Sequence, residues 1–170
     1  RNDLSLYHSP LAKAFKGERN DYPLRELLTR STAESDNTAA DLLLRLIGGP
    51  QALTAILRDG GVTGISVDRY ERVFQPEILG LPGYGWNESI DTAKFYKAIQ
   101  AIPAAERRKR LQATLTDKRD AASPEASIAF LEGLAKGNWL REPANAALLD
   151  KIMRETTTGP KRIKAGLPAG

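Results

Sequence analysis

A series of helix start and stop signals divides this chain into short amphipathic segments, and this pattern constrains its fold most strongly. Ser123-Pro124-Glu125 combines an N-cap serine, a proline at the first helical position and an acidic first turn. Gly48-Gly49 follows a run of apolar residues and is typical of a helix end. Because apolar residues recur at helical spacing between such signals, the sequence predicts an all-α bundle of six to eight helices.

Seven segments carry this pattern. Residues 62–90 hold six glycines and prolines without a lasting period, which predicts a loop with at most a short helical turn. No convincing strand alternation occurs, although residues 162–167 resemble a lead into one. The predicted helices are one from Pro23 with Leu24, Leu27 and Leu28 on its apolar face, 35–48, 50–59 with Leu53, Ile56 and Leu57 buried, 91–102, 103–115, 124–136, and 143–155 with Leu148, Leu149 and Ile152 facing inward.

Composition argues against several kinds of partner. The 170 residues are 41% apolar and 27% charged, as in a globular domain. No apolar run approaches the roughly 18 residues of a membrane span, and no signal peptide begins at Arg1. With no cysteine and His8 as the one histidine, a zinc site is not expected. The basic run 107–110 predicts a solvated helix face, or else an anion-binding patch, and lacks the aromatic residues of a nucleic-acid platform. We therefore expect no metal site, no nucleic-acid partner and no membrane span.

Ser35-Asp36-Asn37 is the first candidate for chemistry. A bare Ser-Asp-Asn tripeptide usually does no more than cap a helix. The longer string SDNTAADLLLRLIGGP, residues 35–50, closely resembles the stretch around the second motif of class A serine β-lactamases. The three motifs of that family are Ser-x-x-Lys, Ser-Asp-Asn and Lys-Thr-Gly.

Four further segments resemble the same family, in the same order along the chain. Residues 23–28 resemble the helix before the second motif, and residues 68–71 resemble the start of the Ω loop. Residues 117–124 resemble the end of that loop and the next helix, and residues 157–168 the approach to the strand that bears Lys-Thr-Gly. The implied fold is the helical lobe of the two-lobed β-lactamase and DD-peptidase fold, whose other lobe is an α/β sandwich.

The resemblance also implies a role for individual residues. Ser35 would relay a proton to the departing lactam nitrogen, and Glu71 would activate the water that hydrolyses the acyl-enzyme. Asn37 would bind the substrate's side-chain amide, and Arg162 would supply positive charge for its carboxylate. Asp36 is expected to be structural, its carboxylate accepting backbone hydrogens near its own turn.

A second group of residues is expected around these. Gln75, where the family has asparagine, would hold the deacylating water with Glu71 but carries one more methylene, which puts efficient deacylation in doubt. Arg69 and Asp120 would form an ion pair that closes the Ω loop. Either Tyr7 or the adjacent His8 would correspond to the aromatic residue at the cleft entrance, with a plain surface role as the alternative. The alternatives are that Glu71 is a solvated loop carboxylate and that Arg69 and Asp120 are two unrelated surface charges.

Two of the three family motifs do not occur in these 170 residues: Ser-x-x-Lys and Lys-Thr-Gly. The resemblance therefore implies that the nucleophile, its lysine partner, the oxyanion hole and the α/β lobe lie outside this sequence, and that the chain is a fragment, inactive alone. We expect residues 1–170 to form one helical domain. Its Ω loop, at about 69–120, would carry an inserted helical segment at about 78–116, either a packed surface excursion or a cover over the cleft.

The leading hypothesis for function is hydrolysis of β-lactams through an acyl-enzyme in a periplasmic or secreted protein without a cofactor. The partners would be the β-lactam and the rest of the protein's own fold. The alternatives are a DD-peptidase-like or slowly deacylating relative and a non-catalytic helical module. Glu71 favours hydrolysis, because peptidases of this fold lack an equivalent glutamate, whereas Gln75 and the insertion favour the slow relative.

Overall fold

The computed structural model describes residues 4–5, 7–82, 91–140 and 142–161. Within these residues the chain forms nine α-helices and no β-strand; one isolated antiparallel bridge joins Ile65 and Ala122. The predicted all-α architecture is confirmed. The helices are α1 (Pro10–Ala14), α2 (Leu24–Ala33), α3 (Asn37–Leu46), α4 (Pro50–Asp59), α5 (Glu71–Ile78), α6 (Thr92–Ala101), α7 (Ala104–Thr114), α8 (Pro124–Ala135) and α9 (Pro143–Arg154).

The main core lies where α3 packs against α1 and α2. Leu4, Leu11 of α1, Leu27 of α2 and Ala39 of α3 are buried together. Each fully buried leucine contributes about 1.5–3 kcal/mol relative to an exposed one. This cluster therefore holds the junction between α2 and α3, which carries the Ser-Asp-Asn motif.

Helix α9 packs against α2 and fixes the end of α2. Ile152 is buried, as predicted, and Leu148 and Leu149 are half-buried. The backbone N–H of Thr157 donates to the carbonyl of Ala33 at 3.0 Å, and its hydroxyl donates to the same oxygen at 3.2 Å. Because the last carbonyls of a helix lack partners within it, Thr157 satisfies a group that α2 leaves open.

The cap signals in the sequence correspond to real helix ends. Ser123 is the N-cap of α8, and its hydroxyl accepts a hydrogen bond from the N–H of Ala126. Gly48 and Gly49, at φ of 102° and 93°, end α3 in the left-handed region that glycine adopts without strain. Pro23 is the N-cap of α2 rather than its first residue.

Two helices lie outside the predicted set. The stretch 62–90, predicted as a loop with at most a short turn, contains the eight-residue helix α5. Helix α1 follows Ser9-Pro10, the same signal that starts α8, and Ser9 accepts from the N–H of Ala12. The prediction for 62–90 was wrong because its glycines and prolines flank α5, and Pro76, at its sixth position, does not stop it. Residues 83–90 and 162–167, including the proposed lead into a strand, lie outside the described residues.

Several apolar side chains lie at the surface rather than in the core. Ile56, predicted to be buried, is 55% exposed, because α4 turns this face away from the other helices. Leu24 of α2 and Ile128 and Leu131 of α8 are also more than half exposed. Among the described helices, none alone has the length and apolar character to cross a membrane; α3 and α4 reach these only as a pair, bent by 68°.

Candidate active site

Ser35 occupies the turn that joins α2 to α3. Its φ of 57° lies in the left-handed region, which costs a non-glycine residue about 1–2 kcal/mol. Two backbone bonds hold the turn: the N–H of Asp36 donates to Arg30 at 3.0 Å, and that of Asn37 donates to His8 at 3.2 Å. Ser35 itself is exposed. The turn therefore presents a hydroxyl at the N-terminal end of α3.

Asp36 compensates for this strain with a buried hydrogen-bond network. It is fully buried, and its carboxylate accepts from the Ser9 hydroxyl at 2.9 Å, the Leu11 N–H at 2.6 Å and the Ala39 N–H at 3.0 Å. The Ser9 hydroxyl also lies 2.8 Å from the hydroxyl of Thr38. A buried carboxylate requires such donors to offset its lost hydration. Asp36 thus ties the start of α1 to the start of α3.

Glu71 is the first residue of α5, and Gln75 lies one turn later on the same face. The side-chain amide of Gln75 donates to Oε2 of Glu71 at 2.8 Å, and both residues are half-buried. Residues four apart on a helix are neighbours, so this contact follows from the spacing once α5 forms. The amide fixes the orientation of the carboxylate and leaves Oε1 outside that contact.

Asp41 lies on α3, one turn beyond Asn37, and contacts the start of α5. Its Oδ1 accepts from the N–H of Glu71 at 2.7 Å, and its Oδ2 accepts from the N–H of Arg72 at 3.0 Å. Burial raises the pKa of Asp41 to about 6, although these two hydrogen bonds act in the opposite direction. A buried carboxylate therefore joins the helix of the Ser-Asp-Asn motif to the helix of Glu71.

Arg69 and Asp120 form an ion pair across the segment between them. Nε of Arg69 lies 2.6 Å from Oδ2 of Asp120, and the Arg69 side chain is only 8% exposed. Oδ1 of Asp120 accepts from the backbone N–H groups of Asp68 at 2.7 Å and Arg69 at 3.0 Å. The N–H of Asp120 donates back to Asp68 at 2.8 Å, and this bond lowers the pKa of Asp68. The two ends of the segment are therefore held by side-chain and backbone bonds together.

Three more charged residues extend this ion pair into a network. Glu77, at the end of α5, accepts from Arg69 at 2.8 Å and from Arg119 at 3.0 Å. Side-chain and backbone bonds from Arg119 lower the pKa of Asp117 to about 2. Asp117 also lies 3.6 Å from Arg69. Both ends of α5 are therefore anchored, the first turn by Asp41 and the last by this network.

An open apolar groove of about 770 Å³ runs beside the first turn of α5. Apolar residues of α2, α3 and α4 form most of its wall, and Leu46 at its rim is 68% exposed. Asp41, Arg69 and Glu71 supply the charged part of the lining. A surface of this size and composition is typical of a face that another part of a protein covers.

Two of the remaining predicted residues, Tyr7 and Asn37, lie beside the Ser35 turn in the chain or through the backbone bond of His8. Tyr7 is exposed, and its neighbour His8 contacts the Glu34 carbonyl through Nε2 at 2.9 Å. Asn37 begins α3 and is half-buried. Arg162 lies outside the described residues. Within the described ranges, no group of three or more His, Cys, Asp or Glu side chains is arranged to hold a metal ion.

Sequence reasoning missed two residues at this site. Asp41 is an acid within the apolar run of α3, four residues after Asn37 and therefore on the same helix face, a signal that marks a buried polar contact. Glu77 gave no such signal, because its partners, Arg69 and Arg119, lie 8 and 42 residues away along the chain.

Comparisons with known proteins show which family the chain resembles. The sequence model of the β-lactamase enzyme family matches residues 8–170. The chain is 30% identical to the extended-spectrum β-lactamase PER-1 of Pseudomonas aeruginosa over 95% of this chain and 41% of that protein. It is 32% identical to a β-lactamase of Amycolatopsis lactamdurans, over 98% and 42% respectively. The solved structure of a class A β-lactamase of the last common ancestor of Gram-negative bacteria aligns with a TM-score of 0.67 at 30% identity, covering 99% of this chain and 49% of that one.

The chain thus spans about two fifths of the length of the curated relatives it matches. The ordered sequence motifs, the all-helical architecture and the family-model match over residues 8–170 all indicate the same family. On these grounds the chain belongs to the class A serine β-lactamase family.

Proposed function

We propose that this chain supplies the helical half of an active site that hydrolyses β-lactams through an acyl-enzyme. Glu71 is the base that activates the deacylating water, and Ser35 relays a proton to the lactam nitrogen as it leaves. The hydrogen-bonded pair of Glu71 and Gln75 at the start of α5 carries the proposal. This pair places a carboxylate and an amide on one helix face, beside the apolar groove. In the complete protein, the rest of the fold would cover that groove.

Acyl transfer requires both a base for the attacking water and a proton donor for the leaving nitrogen. A water molecule becomes a competent nucleophile at neutral pH when a carboxylate accepts its proton during attack on the ester carbonyl. The amide nitrogen of the opened lactam leaves when it receives a proton, which a serine hydroxyl can pass on. In the proposed site Gln75 positions the water with Glu71. Asn37 binds the substrate's side-chain amide, Arg162 attracts its carboxylate, and Tyr7 borders the entrance.

The partners in this proposal are the β-lactam and the remainder of the protein's own fold. The rest of that fold would provide the serine nucleophile, its lysine and the oxyanion hole, and would cover the apolar groove beside Glu71. In this arrangement the segment of about 69–120 is the Ω loop, with an inserted part at about 78–116 that contains α6 and α7. A periplasmic or secreted location would give such an enzyme access to its antibiotic substrates.

The test uses the complete protein that carries the nucleophile. Glu71→Ala should leave acylation intact and slow deacylation by about 10²–10⁴-fold, the usual contribution of a general base. The acyl-enzyme should then accumulate and be detected by mass spectrometry. If Glu71→Ala released product as fast as the unmodified protein, the assignment of Glu71 as the base would be wrong.

Gln75→Asn provides the matched variant, because it keeps the amide and removes one methylene. If Gln75 displaces the deacylating water, this substitution should raise steady-state turnover and leave the pre-steady-state burst of acylation unchanged. Slow turnover of the unmodified protein that Gln75→Asn relieves would indicate a slowly deacylating relative. Unchanged turnover would show that the longer side chain holds the water equally well.

A further inference from the structure

Helix α7 packs against α5 with a polar face. Only two of its residues, Glu106 and Thr114, are half-buried, and the others are exposed. The helix contacts α5, and the aliphatic stem of Arg110 lies beside Gly80, which follows α5. Arg110 is four residues from both Glu106 and Thr114, and its Nε lies 2.9 Å from the Glu106 carboxylate. The inward face of α7 therefore consists largely of polar side chains.

The leucines of α7 lie on a different, exposed face. Leu111 is 56% exposed, and Leu115, the C-cap residue, is 80% exposed. The two are four residues apart and so are neighbours on the helix surface. An amphipathic helix of a globular protein normally turns such residues toward the core, which is the reverse of the arrangement in α7. Single exposed leucines are common, so the charges beside this pair decide what the surface can bind.

Two arginines flank this pair of leucines. Arg107 and Arg108 precede Leu111 by four and three residues, which places them on the same side of α7. Both are exposed, and neither forms an ion pair with another residue in the described part of the chain. The one acid of α7, Glu106, is bound to Arg110 on the inward face. The leucine face therefore carries positive charge that no carboxylate of this helix offsets.

Apolar side chains flanked by cations complement the interface of an anionic lipid bilayer. Arginines bind the lipid phosphates, while the leucines enter the boundary of the acyl chains. A soluble polyanion such as a nucleic acid would bind the arginines but would leave the leucines in water. Helix α7 also has no aromatic side chain on which a base could stack. The combination of charges and leucines thus favours a lipid surface over a nucleic acid.

We propose that the exposed face of α7 formed by Arg107, Arg108, Leu111 and Leu115 is a docking surface for an anionic lipid membrane. The helix lies along the membrane interface and does not cross it. This surface is on the opposite side of α7 from its polar contacts with α5, so docking leaves those contacts in place. The proposal does not depend on the role of Glu71 in hydrolysis.

The experiment measures sedimentation of the complete protein with vesicles. Vesicles of equal parts phosphatidylglycerol and phosphatidylcholine should bind it, phosphatidylcholine vesicles should bind it much less, and added salt should weaken the binding. The double variant Arg107→Gln, Arg108→Gln should lower the affinity by about 10–30-fold, since each cation near an anionic surface contributes about fivefold. The double variant Leu111→Ala, Leu115→Ala should lower it by about tenfold, because less apolar area is buried.

Two control variants remove the same groups elsewhere on the surface. Lys136→Gln with Arg154→Gln removes two exposed charges, one at the end of α8 and one on α9. Leu131→Ala removes a leucine of α8 that is 55% exposed, close to the value for Leu111. Both controls should bind vesicles as tightly as the unmodified protein. The α7 variants should keep the urea midpoint of the unmodified protein, because the side chains removed are exposed.

Three outcomes would overturn the proposal. If the complete protein does not bind the anionic vesicles, the leucine face is covered by another part of the fold or serves only as a solvated surface. Equal binding to both kinds of vesicle would show that the arginines do not recognise the lipid. If single-stranded DNA binds as tightly as the vesicles and the leucine variant binds them unchanged, the surface is a general polyanion site and not a membrane site.

Discussion

Asp36 and Asp41 lie five residues apart on either side of the first turn of α3, yet they cap different structures. Asp36 accepts from Ala39 in its own helix, from Ser9 at the N-cap of α1 and from Leu11 within α1. Asp41 accepts from two backbone amides of α5. Both carboxylates are buried, so each depends on its hydrogen-bond donors to replace the hydration that it loses in the protein interior. The identity of the donors decides which segments each aspartate holds together.

Backbone strain at Ser35 leads to the first prediction. Glycine adopts the left-handed region without the Cβ clash, whereas alanine keeps it. Ser35→Gly should therefore be more stable than Ser35→Ala by about 1 kcal/mol. Urea unfolding of the two variants measures this difference directly. Equal midpoints would mean that the turn relaxes when the hydroxyl is removed.

Asp41 leads to a prediction about pH. Its pKa is raised by burial to about 6 from 3.8, so the folded state binds a proton more tightly than the unfolded state. The resulting stability is fully present below pH 3.8 and is lost as the pH rises through about 6. At about 1.4 kcal/mol per pKa unit, the contribution is about 3 kcal/mol.

Asp41→Asn should remove this contribution, because asparagine does not titrate. The free energy of unfolding, measured from pH 4 to pH 7, should fall less steeply for the variant than for the unmodified chain. The expected difference in slope is confined to that window. Parallel curves for the two proteins would contradict the raised pKa.

At the scale of elements, α5 is positioned from both ends rather than by its own sequence. Asp41 binds its first turn, and Glu77 near its last residue joins the network of Arg69 and Arg119. Pro76 lies inside the helix and is buried. A helix of eight residues is too short to be stable alone in water, so these tertiary contacts are what maintain it.

The ion pair of Arg69 and Asp120 gives the prediction at this scale. Asp120→Asn leaves a largely buried guanidinium without one of its carboxylates, at a cost of about 1–3 kcal/mol. Hydrogen exchange in α5 should become faster, because its C-terminal anchor is weakened. Asp150→Asn is the control, since its pair with Arg154 is exposed on α9 and should have no measurable effect. Unchanged exchange in α5 of the Asp120→Asn protein would show that the ion pair does not anchor the C-terminal end of this helix.

At the scale of the whole molecule, the apolar groove and the exposed faces of α4 and α8 show that these helices do not bury all their hydrophobic surface against one another. Ile56 of α4 and Ile128 and Leu131 of α8 are each more than half exposed. The curated relatives are more than twice as long as the matched region. Both observations agree with the proposal that further parts of the fold cover these surfaces.

The corresponding prediction concerns the 170-residue chain alone. It contains no Ser-x-x-Lys motif, so no serine has the lysine partner at the family's spacing. Incubation with penicillin should produce no covalent adduct, and a chromogenic cephalosporin should not be hydrolysed. Mass spectrometry of the intact chain, beside a full-length class A β-lactamase as the positive control, measures this. A penicilloyl adduct on the chain would contradict the proposed division of the site.

The sequence alone predicted what depends on neighbouring residues. The ends of α3 and α8 follow from Gly48-Gly49 and from Ser123-Pro124, since capping involves groups within about one helical turn. The family also followed from the sequence, because its motifs are short, local strings in a fixed order, and the comparisons confirm it. The four-residue spacing of Glu71 and Gln75 is also local, and it brings the two side chains together once α5 forms.

Tertiary structure alone decided what depends on distant residues. Asp41 contacts Glu71 across 30 residues of the chain, and Arg69 contacts Asp120 across 51. Neither contact leaves a periodic pattern in the sequence. The exposure of Ile56 likewise depends on which faces of the other helices reach α4. Local patterns encode helices because their hydrogen bonds join residues four apart. The positions of helices relative to one another depend on contacts whose partners the chain order does not reveal.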